Sequence, residues 1–217
     1  MSRMAVYFIW MIAALPLFAQ SIAQVSPGVM EFRDPANGVR FRYPEAWTFT
    51  HDEPFMFAPS IAKPGPTPRT LLRGLVVARS IPGIPSWPVA DFSGVEFDYD
   101  ARPAVSDAAC RAVLGGIAGP ASGIDRAAFD GIVYWHRTAG DGGMSKYTSE
   151  EIYATYSRLA GSCLLFDLAV HSTYAPGAQK GSDAGIVPRA LSPRESATVR
   201  QSLMQILSSV RISAPRR

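Results

Sequence analysis

The clearest alternation of apolar and polar positions lies in 38-GVRFRY-43, where Val39, Phe41 and Tyr43 interleave with Arg40 and Arg42. Side chains along a strand point to opposite faces with period two, so this segment predicts a half-buried strand. Pro44 has no ladder donor and ends it. Trp47 and Phe49 restart the alternation in a second short strand, with Trp47 as a large apolar anchor of the core. The turn formers at 34–38 (DPANG) lead in, so the whole reads as an opening hairpin. Residues 71–81 (LLRGLVVARSI) predict another strand, with Gly74 as a bulge. At 92–101, Val95, Phe97 and Tyr99 alternate with Glu96, Asp98 and Asp100, which predicts a strand with an acidic outer face.

The second half continues in strands. Residues 124–129 and 132–138 flank Asp130-Gly131, a strong two-residue hairpin signal, and the glycines of 140–143 read as the next turn. Residues 144–159 carry two patterns. Ile152, Tyr156 and Leu159, with Thr148 and Glu151 as a capping box, keep helical spacing, while three tyrosines suit a strand. The Ala160-Gly161 turn into the apolar run 163–172 favours a hairpin. Two helices stand out. Ser106-Asp107 caps a short one through Leu114, closed by Gly115-Gly116. Ser192-Pro193-Arg194-Glu195 opens a longer one with a capping box and Pro at the first turn, and Val199, Leu203, Ile206, Leu207 and Val210 form its apolar stripe. Proline-rich and polar loops fill 54–70, 82–88 and 174–191. An apolar sheet face needs a covering layer, so the pattern predicts an α+β fold: an antiparallel β-sheet with helices packed on its faces, as one domain.

The N-terminus changes the picture. Arg3, an apolar run at 5–19 and the small residues Ser21 and Ala23 read as a secretory signal peptide over 1–23, leaving a single mature domain over 24–217. The run is shorter than the roughly 20 residues of a spanning helix, and Pro16 interrupts it. The mature chain is therefore expected to be periplasmic or secreted, with no membrane span. In an oxidising compartment the two cysteines, Cys110 and Cys163, read most simply as a disulfide. It closes a loop of about 54 residues, worth roughly 4 kcal/mol in the chain-entropy model. The competing reading is a free catalytic Cys with a His, which leaves a second thiol open to oxidation.

Composition adds exclusions. Hydrophobic content of 47% with 18% charged residues reads as globular. The formal charge of +3 is spread over scattered arginines, which argues against a nucleic-acid footprint. No nucleophile elbow, P-loop, dinucleotide fingerprint, C-x-x-C or H-E-x-x-H occurs, and no cofactor or metal site is read. His51, His136 and His171 stand apart in the sequence. Cys163, Asp167 and His171 share one face of a strand, but residues four apart there are about 13 Å apart and cannot bond directly. His136, beside a glycine-rich turn containing Asp141, reads first as a solvated strand residue, with a base oriented by Asp141 as the competing reading. Arg40 and Arg42 share a face and suit an anionic ligand, against a plain solvated face or ion pairs with Glu96, Asp98 and Asp100. Trp87, between prolines, is either a recognition residue or folded onto the sheet.

The opening 38-GVRFRYPEAW-47, the 161-GSC-163 strand and the closing 206-ILSSVRI-212 together resemble PsbP-type domains. That family includes the extrinsic subunit of the oxygen-evolving complex, a Ran-binding import factor and many exported bacterial proteins. The resemblance implies an α/β/α sandwich and a binding or assembly role, and carries no functional residue across. The expected function is an exported, non-catalytic module acting on an envelope or extracellular protein, with Trp87, Arg40, Arg42 and His136 as candidate contacts. The alternative is a small periplasmic hydrolase or ligand-binding protein using His136 or His171. N-terminal sequencing of the exported protein is expected to begin at Gln24; an intact Met1 on exported material would refute the cleaved leader.

Overall fold

The structure, a computed structural model, describes residues 20–50, 60–62, 72–117, 123–143, 146–173 and 188–213. The apolar run at 5–19, His51 and most of the 54–70 and 174–191 loops lie outside them. A seven-stranded sheet is built from β4 (Thr48–Thr50), β5 (Gly74–Ala78), β6 (Gly94–Pro103), β7 (Asp125–Phe129), β8 (Ile132–Gly143), β9 (Lys146–Ser157) and β10 (Ser162–Ser172). Its order is β4-β5-β6-β10-β9-β8-β7. A second sheet of four strands has the order β1-β2-β3-β11, from β1 (Ser21–Ser26), β2 (Val29–Asp34), β3 (Val39–Pro44) and β11 (Arg211–Ile212). All named strand pairs are antiparallel. The helices are α1 (Asp107–Gly115) and α2 (Pro193–Ser208). This is the expected α+β class, with one addition. The short alternation of β2 and the two-residue β11 flank β3 in a separate small sheet, while β4 pairs with β5 in the large one, so the expected opening hairpin does not form: its two strands part into different sheets after Pro44.

Aromatic packing joins the two sheets. Phe32, Phe41 and Tyr43 point inward from the small sheet, and Phe41 meets Phe97 at 5.0 Å between ring centroids. Tyr99 stacks on Phe166 at 5.4 Å and meets Phe32 edge-on at 5.8 Å. The α2 stripe of Val199, Leu203, Ile206 and Leu207 closes the same core, as its spacing predicts. Gly74 is not a bulge, because the β5–β6 register runs unbroken from Gly74 to Ala78. A Cβ there would sit 3.3 Å from the Phe32 ring and 3.4 Å from the Phe41 ring, so the glycine makes room for the aromatic layer.

The opposite face of the large sheet lies under α1 and the short turn at Ser60–Ala62, with Leu75, Ile152, Ala154 and Leu165 beneath. The Cys110–Cys163 disulfide ties α1 to β10. Both helix caps form as read. Ser106 accepts from the Ala109 N–H, and Ser192 and Glu195 make the reciprocal capping box. Asp130 and Gly131, at φ 47° and 81°, make the β7–β8 turn. The segment 140–143 is a correction: it continues β8 instead of turning, paired as far as Gly143 with Lys146. A Cβ on Gly140 would come within 2.8 Å of the Tyr147 hydroxyl, so the glycines there leave room for a cross-strand tyrosine. Within the 144–159 segment, β9 over Lys146–Ser157 is the strand of a hairpin with β10, not a helix.

Trp47 is buried in the aromatic core. Trp47→Ala is expected to cost about 3–5 kcal/mol in urea unfolding, as a large core truncation does. A change below about 0.5 kcal/mol, typical of surface sites, would contradict that placement.

Candidate functional site

Burying one face of the small sheet turns its other face outward. In the antiparallel register Arg33 of β2 lies directly opposite Arg40 of β3, and Arg40 lies opposite Arg211 of β11. Arg42 is one alternation further along, opposite Glu31. Glu31 accepts the Nε of Arg33 at 2.7 Å and of Arg42 at 3.3 Å. Burial raises the Glu31 pKa, but the bonds from these two arginines and the charges of Arg33 and Arg40 outweigh it and hold the carboxyl below its usual range. Arg211 is occupied by the Ser208 and Val210 carbonyls at 2.9 and 2.8 Å, with Asp130 at 3.5 Å. The Arg40 side chain is exposed and has no hydrogen bond or ion pair among the described residues. A pocket of 380 Å³ opens beside it, lined by Arg33, Arg40, Asp34, Gly38, Ser21 and Ser213 among others.

Those arginines do not pair with β6. Glu96, Asp98 and Asp100 are fully buried on the far face of the large sheet, which overturns the acidic outer face expected for this strand. The alternation was right, but both faces of a central strand in a covered sheet are interior. Asp98 lies directly opposite Asp167 of β10, and Glu96 opposite Ala169, whose other neighbour is Glu150 of β9. Asp100 is paired by Arg102 at 3.0 Å. Glu150 takes the Ser60 N–H at 2.9 Å and also its hydroxyl. His171, equally buried, shares a bond of 2.9 Å between Nδ1 and the Thr148 hydroxyl, with Nε2 3.4 Å from Glu96. The Cys163, Asp167 and His171 row thus faces the interior. Neither oxygen of Asp98 has a hydrogen-bond partner among the described residues. Burial, then the charges of Glu96, Asp167 and Glu150, push its carboxyl well above the usual carboxylate range.

His136 sits on the other face of the sheet. Its Nδ1 is 2.8 Å from Asp125, its Nε2 is 3.8 Å from Glu151, and its ring lies 4.6 Å from that of Tyr153. Arg200 of α2 donates to Glu151 at 2.5 and 2.8 Å, and the Tyr153 hydroxyl donates to it at 2.7 Å. Desolvation raises the Glu151 pKa, but these donors and the Arg200 and His136 charges carry it below its ordinary value. Beside this cluster runs a groove of 270 Å³ between α2 and the β9–β10 pair, with Leu168, Val170, Val199 and Leu203 as its floor and Glu151 and Arg200 at its rim. The Asp141 side chain lies outside the described residues. Trp87 is 43% exposed, its N–H donating to the Phe92 carbonyl at 3.2 Å.

The structure therefore brings Arg40 and Arg42 into one charged face and places His136 between two carboxylates. Sequence reasoning missed Glu31, Arg33 and Arg211, and also Asp125, Glu151 and Arg200. The 29-VMEFRD-34 alternation held the signal for the first two. Arg211 sits only three residues past the α2 terminus, where no period is long enough to read.

No protein-family model matches the chain, and no curated protein does. Among solved structures the chain is similar to a protein from Bacteroides thetaiotaomicron, at 9% identity and a TM-score of 0.42 over 84% of this chain and 48% of that one. It thus spans about half the length of that protein. It is also similar to LpqN, involved in cell envelope biogenesis of Mycobacterium tuberculosis, at 12% identity and a TM-score of 0.38 over 90% and 91% of the two chains. Cyanobacterial PsbP (CyanoP) from Synechocystis matches at 15% identity and 0.39 over 89% and 98%. At these identities and scores no side chain is carried across.

The buried acids give a signed pH prediction. Asp98 has a folded pKa raised from the ordinary 3.8, so its protonated form favours folding and stability falls as pH rises through that value. Asp98→Asn is expected to gain about 1–3 kcal/mol at about pH 8 and to change little at about pH 3, read by urea unfolding. Destabilisation at the higher pH would show that the charged carboxylate is satisfied.

Proposed function

We propose that the mature chain is an exported, non-catalytic binding or assembly module of the cell envelope, docking through the outer face of its small sheet. The observation that carries this reading is Arg40: an exposed guanidinium without an ion pair among the described residues, flanked in register by Arg33 and Arg211. Like charges directly opposite one another repel, so such a row is selected for something outside the sheet. The leader-like N-terminus and the Cys110–Cys163 disulfide support export. Among the described residues no helix is long and apolar enough to cross a membrane. The opening and closing motifs support kinship with PsbP-like proteins, and LpqN offers an envelope setting for the fold.

A second reading rests on the His136 cluster. A histidine 2.8 Å from Asp125 and beside an apolar groove is the arrangement a ligand-binding or hydrolytic site would use. It is separated from the first by location, since α2 and the large sheet form it.

Crosslinking capture from envelope extract, with the disulfide intact, tests both. A partner lost with Arg40→Glu plus Arg42→Glu and retained with His136→Ala is the expected result. Retention of every partner by the double arginine variant would overturn the docking face, and loss on His136→Ala alone would move the site to the α2 groove.

A further inference from the structure

We propose that the pocket between Arg33 and Arg40 is a binding site for a phosphate group; this rests on the outer-face reading above and names its ligand. The two arginines face each other across β2 and β3 and both line the 380 Å³ pocket. Cross-strand neighbours have Cβ atoms about 5 Å apart, so the two guanidinium groups reach one common ligand. The nearby acids do not fill that role. Of the Arg33 donors Glu31 takes the Nε alone, and the terminal nitrogens of Arg33 have no acceptor among the described residues. Asp34 lines the pocket but spends its oxygens inward, on the Ala36 N–H at 3.1 Å, the Asn37 amide at 2.8 Å and the Tyr99 hydroxyl at 3.1 Å. The pocket therefore presents two planar donor forks with no anion between them.

The number of forks selects the ligand. A carboxylate has two oxygens in one plane and a single charge, so it meets one guanidinium fork bidentately, or two through a single bond each as Glu31 does. A phosphate group has oxygens on several edges, one charge as a diester and nearly two as a monoester, and accepts from both arginine forks at once. The pocket falls in the range of small-ligand sites and exceeds one bare phosphate, so it has room for the group that carries the phosphate. Ser21 would leave with the expected signal peptide. The site does not depend on it, because β2, β3 and the Gly38 turn supply the charged walls. Free phosphate compounds and lipid headgroups share this chemistry.

The test is isothermal titration of the disulfide-bonded mature chain, in phosphate-free buffer, with inorganic phosphate and pyrophosphate. Co-sedimentation with phosphatidylglycerol vesicles, against phosphatidylcholine vesicles, is run beside it. The variants are Arg40→Glu, the conservative Arg40→Lys, and Arg158→Glu, an exposed charge control in the β9–β10 turn. Saturable binding that weakens at least about tenfold in Arg40→Glu, partly returns in Arg40→Lys and persists in Arg158→Glu is the expected result. Titration without vesicle binding assigns a soluble phosphate compound; Arg40-dependent binding to the anionic vesicles alone assigns a headgroup. Equal weakening by Arg40→Glu and Arg158→Glu would overturn the site in favour of diffuse charge. Blank titrations and blank sedimentation would overturn it too. If crosslinking capture then still depends on Arg40, the docking face survives and only its phosphate chemistry falls; if capture is blank as well, both fail.

Discussion

The contact on which the rest of this molecule depends is the aromatic layer between its two sheets. Phe32 and Phe41, stacked at 4.8 Å, press on Phe97 and Tyr99 through the gap that Gly74 leaves. Large rings contribute much of the apolar area a small core can bury, and their edge-to-face geometry fixes how the layers meet. Period-two alternation then leaves no choice for the residues between them. With Phe32 and Phe41 inward, Arg33, Arg40 and Arg42 must face out. The charged face and the core are two sides of one constraint.

The far side of the large sheet shows the opposite arrangement. There a band of carboxylates is buried on the face that also carries α1 and the disulfide, with Asp98 opposite Asp167 at its centre. Burying paired acids this way works against stability, because each must be protonated or held by donors. The cross-link offsets such a cost by restricting the unfolded chain. The small net charge of +3 conceals this division, since Glu96, Asp98 and Asp100 lie inside while Arg33, Arg40 and Arg42 lie outside. The potential a partner meets on the small sheet is therefore more positive than composition implies.

Much of the fold was legible. Helix caps, the Asp130-Gly131 turn and the β9–β10 hairpin rest on local chemistry, and local chemistry is written in a few neighbouring residues. The small sheet as a separate layer was not legible, because β11 has two residues and pairs with β3 across most of the chain. The acidic strand misled for a related reason. Alternation reports that two faces differ, but what covers each face is decided by distant segments. The same limit hid the site. Arg40 and Arg42 declare themselves by spacing, whereas Arg33 and Arg211 join them only through register.

Register is also what separates a charged surface from a site. Arginines scattered on a solvated face avoid one another, and a nearby acid relieves those that meet. Here a single glutamate serves Arg33 and Arg42 by their Nε atoms and holds both stems in place. Arg40, between Arg33 and Arg211, is left to the solvent side. Side chains already fixed lose less entropy on binding, so an anion that enters gains more from each bond. The rigid sheet under them keeps the donors apart and unsatisfied until it arrives.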